Sequence, residues 1–180
     1  MVVTNSGLKN GDKVVKSGSL GSATLGSGLE TLDNPTTGAI GDFVTLSGFG
    51  HITKSGGIGG DVTLNTGWTI NKGGIDGAFS FAGSATAGLI NRGAIAQGVA
   101  ISSANDTISF AGLTGVATIA GFQASDVLGF NTAVFANFAA VQHAMTQVGS
   151  DVRITHDAAD RVTLKGATLA SLSASNFAFS

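Results

Sequence analysis

A short phrase recurs along the middle of this chain: an apolar residue, four others, a second apolar residue, three others, a third, one other, a fourth. It reads Ile70, Ile75, Phe79, Phe81; then Ile90, Ile95, Val99, Ile101; then Ile108, Leu113, Ala117, Ile119. An earlier copy, Ile52, Ile58, Val62, Leu64, carries one extra residue in its first gap, and Ile40, Val44, Leu46 is a partial copy before it. With the second apolar position as the ruler, the copies fall at 40, 58, 75, 95 and 113, in steps of 18, 17, 20 and 18. A period this short leaves no room for a pair of helices and marks a β-solenoid built coil upon coil. One coil cannot bury its own apolar side. Only stacked copies make a core, so the repeat predicts the architecture before any motif does.

Strand side chains alternate in direction. In Val44-Thr45-Leu46, Val62-Thr63-Leu64, Phe79-Ser80-Phe81, Val99-Ala100-Ile101 and Ala117-Thr118-Ile119 the outer pair therefore points inward and the middle residue outward. The expected fold is all-β: a right-handed parallel β-solenoid, of the β-helix or β-roll kind, over residues 37–130, with a C-terminal helix and hairpin cap. Its inward set is Ile52, Ile58, Val62, Leu64, Ile70, Ile75, Phe79, Phe81, Ile90, Ile95, Val99, Ile101, Ile108, Leu113 and Ile119. Outward, Thr45, Thr63, Ser80, Ala100 and Thr118 make a flat ladder of small uncharged residues. Thr53, Asn71, Asn91 and Ser109 make a second ladder, able to bond along the axis at a corner. One place further on, Lys54, Lys72 and Arg92 read as a short basic row. Gly56, Gly73, Gly93 and Gly112 fall where the chain must turn between faces.

The two ends read differently. Residues 1–36, rich in Gly, Ser, Thr and Lys, are expected to form an irregular N-terminal coil that caps the stack. Residues 131–180 read as a C-terminal cap. Val134, Phe138, Val141, Met145 and Val148 make one apolar stripe, which predicts a helix over 133–148 stopped by Gly149. Val152-Arg153-Ile154 and Val162-Thr163-Leu164 read as a hairpin, and residues 169–179 as an amphipathic helix laid over the last coil.

Composition removes several function classes. Nine basic residues spread singly, with a formal net charge of −2, offer no footprint for nucleic acid. The absence of cysteine removes disulfides, thiol catalysis and cysteine-based zinc sites. No run reaches the roughly 18 apolar residues of a membrane span. The opening residues show neither a charged n-region nor an apolar h-region, so a cleaved N-terminal secretory signal is not expected.

Candidate chemistry is sparse. Gly56-Gly57-Ile58-Gly59-Gly60-Asp61-Val62-Thr63-Leu64 resembles a calcium-binding nonapeptide, with Asp61 as a hard oxygen ligand. Thr63 stands where that motif wants a large apolar residue, and Asn105-Asp106 and Ser125-Asp126 are only fragments of it. The reading is a metal-free body whose polar turns hold no cofactor, with calcium at Asp61, Asp106 and Asp126 as the alternative. His51, His143 and His156 fall in different elements with no partner at ligand spacing. The single glutamate, Glu30, has no carboxylate companion, and Asp42 and Asp61 face glycines at the matching places of later coils. No GxSxG occurs, and the glycine-rich pieces alternate with strands rather than precede helices. The expectation is a non-enzyme with no catalytic, cofactor or metal site.

Several C-terminal pieces carry a family resemblance: Ile119-Ala120-Gly121-Phe122, Asp126-Val127-Leu128-Gly129-Phe130, the segment through Phe138, Val162-Thr163-Leu164-Lys165-Gly166, and Leu169 to Phe179. Together they resemble the ends of repeats-in-toxin-like, type I-secreted proteins of Gram-negative bacteria. Ile90-Asn91-Arg92-Gly93-Ala94-Ile95 is similar to the coils of autotransporter and adhesin β-helices. The resemblance implies a β-roll or β-helix body, an uncleaved C-terminal export signal and residence outside the cell. With the uncharged ladder, it makes the expected function that of an extracellular structural protein that assembles with copies of itself, as a filament or surface layer. The alternative is an adhesin-type binding module, with a surface polysaccharide as its partner.

Overall fold

The chain is a parallel β-solenoid in a computed structural model that describes residues 3–4, 13–15, 19–26, 29–35, 38–102, 105–112 and 115–180. Ala23–Leu25, Val44–Lys54, Val62–Asn71, Phe79–Phe81, Val99–Ala100, Val116–Ala120 and Arg161–Lys165 stack in parallel along one face. Leu29–Asn34, the second halves of Val44–Lys54 and Val62–Asn71, Ala87–Asn91, Thr107–Phe110, Val127–Phe130 and Phe177–Phe179 stack along another. Ser19–Leu20, Ala39–Ile40 and Gly57–Ile58, continued by bridges to Ile75 and Ile95, make a narrow third face. The in-register pairing thus reaches back before residue 37, through Leu29–Asn34 and Ala23–Leu25.

Alternation fills the interior. Ala23, Val44, Val62, Phe79, Val99, Ile119 and Leu164 form one buried column, and Leu20, Ile40, Ile58 and Ile75 form another. Corners are packed backbone on backbone. A Cβ on Gly73 would lie 2.5 Å from the Gly56 carbonyl oxygen, and one on Gly93 would lie 2.2 Å from that of Gly73. Only glycine lets successive turns stack so closely.

Ten of the fifteen expected inward residues are buried: Ile52, Ile58, Val62, Leu64, Ile75, Phe79, Phe81, Val99, Ile108 and Ile119. Ile95 and Ile101 are partly buried against the core, and Leu113 lies outside the described residues. Ile70 and Ile90 are corrections. They stand in the outward column Thr53, Ile70, Ile90, Ser109, while Ile52, Thr69, Leu89 and Ile108 point inward. Thr69 takes an inward place usually held by an aliphatic residue, and the neighbouring Ile70 imitates it in the sequence. With Thr69 in place, Ile52 to Ile58, Thr69 to Ile75 and Leu89 to Ile95 span equal gaps, and the supposed extra residue disappears. The one-residue difference falls instead at an irregularity between Leu46 and Phe49.

The outward ladder is Thr24, Thr45, Thr63, Ser80, Ala100, Ala120, because Val99 pairs with Ile119 and not with Ala117. The second expected ladder divides: Thr53 and Ser109 face out, whereas Asn71 and Asn91 face in beside Lys54. The basic row also fails, since Lys54 is in register with Asn71 and is buried, while Lys72 and Arg92 are exposed.

At the C-terminal end the stripe of 133–148 yields a helix only at Phe138–Ala144, begun by the Asn137 side chain accepting from the Ala140 N–H at 3.0 Å. Met145–Val148 is instead a strand, turned at Gly149 (φ +62°) to run antiparallel to Asp151–Thr155. The expected hairpin is present, with Ile154 opposite Val162. The expected helix over 169–179 is replaced by two single 3-10 turns, Leu169–Ser171 and Ala174–Asn176, and the strand Phe177–Phe179. The alternation of Phe177 and Phe179 suits a strand, and Phe177 stacks on Phe130 at 6.5 Å between ring centres, as Phe130 does on Phe110 at 6.2 Å. No helix among the described residues is long and apolar enough to cross a membrane.

Phe79 is fully buried and meets Phe81 edge to face at 5.2 Å. Phe79→Ala is expected to lower the unfolding free energy by about 3–5 kcal/mol, from lost transfer energy plus a cavity. Urea denaturation reads this, and a loss below about 1 kcal/mol would contradict the core assignment.

Candidate functional site

Three groups of polar side chains stand out from the apolar scaffold. The first is a buried spine. Leu32, Ile52, Thr69 and Leu89 are each followed two places on by an inward polar residue: Asn34, Lys54, Asn71 and Asn91. The Lys54 ammonium donates to Asn71 Oδ1 at 2.9 Å and to the Gly74 carbonyl at 2.8 Å. Asn71 Nδ2 in turn donates to Asn91 Oδ1 at 2.7 Å. Burial lowers the Lys54 ammonium from 10.5 to about 8, against the opposing pull of the Asp76 carboxylate. Sequence reading places Lys54 in an outward basic row, solvated or met by acids. The signal that it is internal was its spacing from Ile52, which matches that of Asn71 from Thr69.

The second group is a pair of buried aspartates. Asp106 accepts from the Ala87 N–H at 2.9 Å and from the Ser102 hydroxyl at 3.0 Å. Asp126 accepts from the Asp106 N–H at 3.0 Å and the Gln123 N–H at 2.8 Å. Burial raises the Asp126 carboxyl, and these two donors oppose the rise. Asp61 lies apart, exposed, and accepts from the Ala78 N–H at 2.8 Å. The three aspartates of the calcium reading therefore each join one coil to a neighbouring turn or coil through backbone donors. Asn176 closes the series, donating to the carbonyls of Ala124 and Asp126, both at 3.1 Å.

The third group corrects the reading of the histidines. His156, Asp157 and Asp160 bring one ligand-type atom each to within 4.8 Å of one another in the loop of the C-terminal hairpin. Both carboxylates already serve the loop: Asp157 accepts from the N–H groups of Ala159 and Asp160, and Asp160 accepts from that of Gly115. Those backbone donors, first Asp160 and then Ala159, hold the Asp157 carboxyl low, with smaller help from His156. His51 and His143 are exposed and far apart in the fold, and the side chain of Glu30 lies outside the described residues.

A cavity of about 260 Å³ opens beside Ile95 of the narrow third face, between Ile95, Val99, Phe110 and Val116, with Asn91 as its polar wall. The residues lining it bring no nucleophile beside a base, nor a pair of carboxylates. On the outer surface the large exposed apolar side chains include Phe43, Phe49, Trp68 and Val116. No known protein-family model matches the chain, and no curated protein matches it in sequence.

Two outcomes follow from these groups. The folded pKa of Lys54 lies below its unfolded value, so between about 8 and 10.5 the unfolded chain holds the extra proton. Stability is therefore expected to rise as pH climbs through that window, by a ceiling on the order of 3 kcal/mol, and the rise should vanish in Lys54→Met. Chemical denaturation at stepped pH reads both. Because every carboxylate oxygen of Asp106 and Asp126 already has a protein donor, far-UV circular dichroism should be unchanged by excess chelator. A calcium-dependent gain of β signal would show that these carboxylates hold an ion in place of the N–H groups.

Proposed function

We propose that this is a non-catalytic structural protein, exported from a bacterial cell, that associates laterally with copies of itself outside it. What supports the reading is the outward column Thr24, Thr45, Thr63, Ser80, Ala100, Ala120. These six residues stand about 4.8 Å apart on one flat parallel sheet, and the first charge in the column is Lys165, in register with Ala120 at its C-terminal end. Two such faces can approach closely with little desolvation of ions.

The C-terminal end favours sideways contact over end-to-end stacking. There the sheet passes into antiparallel strands, and beside its end strand, Met145–Val148, the Leu169 N–H donates to Gln147 Oε1 at 3.0 Å. The hairpin breaks the coil pattern on that face, so a further coil finds no matching turn there to stack on. Export through an uncleaved C-terminal signal belongs to the same proposal and rests on the resemblance of the segments after Ile119 to type I-secreted proteins.

Sedimentation velocity across a concentration series, with electron microscopy of the same samples, tests the association. The wild type should form sheets or laterally joined particles. Thr45→Lys combined with Thr63→Lys should remain monomeric with an unchanged circular dichroism spectrum, since like charges on facing sheets repel. A wild type that stays monomeric at its highest soluble concentration would overturn the proposal.

A further inference from the structure

Trp68 is the single tryptophan of the chain, and it points outward from Val62–Asn71 with 39% of its surface exposed. Its register partners are His51 in the coil before and Gly88 in the coil after. A Cβ on Gly88 would lie 2.3 Å from Cε3, 2.3 Å from Cζ3 and 2.6 Å from Cη2 of the indole. Such near-equal distances to three consecutive ring atoms put that position under the face of the ring and not against its edge. The indole therefore lies flat on the sheet, over the one residue type that leaves it room, with its other face toward solvent. The outward places beside it hold His51, Thr66, Ile70 and Thr107, with Phe49 and Ile90 on the diagonals, and none of them is Asp, Glu, Lys or Arg.

We propose that Trp68 is a sugar-stacking platform and that this face of the solenoid binds a neutral surface or matrix polysaccharide. A pyranose ring has one side lined by C–H bonds and a rim of hydroxyls. The C–H side suits the negative face of an indole. The rim suits the Thr107 hydroxyl and the His51 imidazole, which donate and accept, and the Thr66 hydroxyl as an acceptor, since its own O–H donates to the Thr86 carbonyl at 3.1 Å. Other ligands fit less well. A quaternary ammonium group needs rings facing it from several sides, whereas the neighbouring exposed ring, Phe49, belongs to the same flat sheet. The core of a protein interface is apolar and fully dried, whereas the indole here has hydrogen-bonding neighbours on three sides. The proposal uses a different face from the uncharged ladder and does not depend on self-association.

The test is a fluorescence titration, in which all indole emission comes from Trp68. The probes are neutral oligosaccharides derived from cellulose, starch and chitin, with alginate as an anionic control, added to the wild type and to the monomeric Thr45→Lys, Thr63→Lys variant. A saturable change with at least one neutral sugar, in both proteins and insensitive to added salt, is expected. By calorimetry, Trp68→Ala should abolish that binding, and Gly88→Ala, which lifts the ring, should weaken it about tenfold or more, while both retain the wild-type circular dichroism spectrum. Loss of that spectrum in Gly88→Ala leaves the decision with Trp68→Ala, whose exposed side chain is not part of the core. Equal binding by Trp68→Ala, no saturable change with any neutral sugar, or binding to alginate alone that salt removes would each overturn the proposal. So would an emission shift that follows protein concentration without sugar, because a second copy would then cover the ring.

Discussion

Everything in this molecule depends on parallel, in-register contact between one coil and the next. A coil of 17 to 20 residues has no hydrogen-bonded partner strand within itself. Its N–H and C=O groups are satisfied by the coils on either side, and its inward side chains meet their counterparts one turn away. Backbone bonding and apolar burial are thus obtained in the same step, along the same axis. The corners answer to the same requirement, since stacked turns come so close at Gly56, Gly73 and Gly93 that a methyl group would strike a carbonyl oxygen.

Much of this was legible as a period. The repeat of apolar residues gives the class of fold and most of the buried positions. The errors at Ile70 and Lys54 share one cause: an apolar pattern cannot see a polar residue that faces inward. Thr69 broke the phrase, so its neighbour Ile70 was read as the core residue, and the side-chain period of two then turned that stretch of strand over. The same slip carried Lys54 to the surface. At the C-terminal end the stripe from Val134 to Val148 fits a helix by spacing, but only seven residues adopt one. Gly149 allows a tight reversal, and pairing with Asp151–Thr155 satisfies the edge better than about one further helical turn would. Periodicity reports which residues share a side and does not report what lies opposite them.

The surfaces were less legible than the core. The uncharged ladder is visible from sequence, though its last step needs the observed pairing of Ala100 with Ala120. The platform at Trp68 was not, because Gly88 lies 20 residues away and reads as one glycine among 28. Only stacking brings them together.

The buried spine has a further consequence for how the coils recognise one another. Apolar columns are nearly interchangeable, so Ile on Val and Leu on Phe give little reason for a given coil to sit on its proper neighbour. A lysine followed by two asparagines is not interchangeable. Lys54 only donates, Asn71 accepts from it and passes a donor on, and Asn91 accepts that donor. A coil stacked out of order, or borrowed from another molecule, would bury an ammonium against Phe110 or Phe130 with nothing to receive its protons. Leaving such a buried group without its partner costs about 1–3 kcal/mol, and more when it is charged, against less than about 1.5 kcal/mol for most aliphatic swaps of similar volume. Three side chains in the middle of the stack thus act as an address that fixes the order of the coils, and a solenoid that guards its own order is harder to entangle with its neighbours when many copies fold in a crowded place.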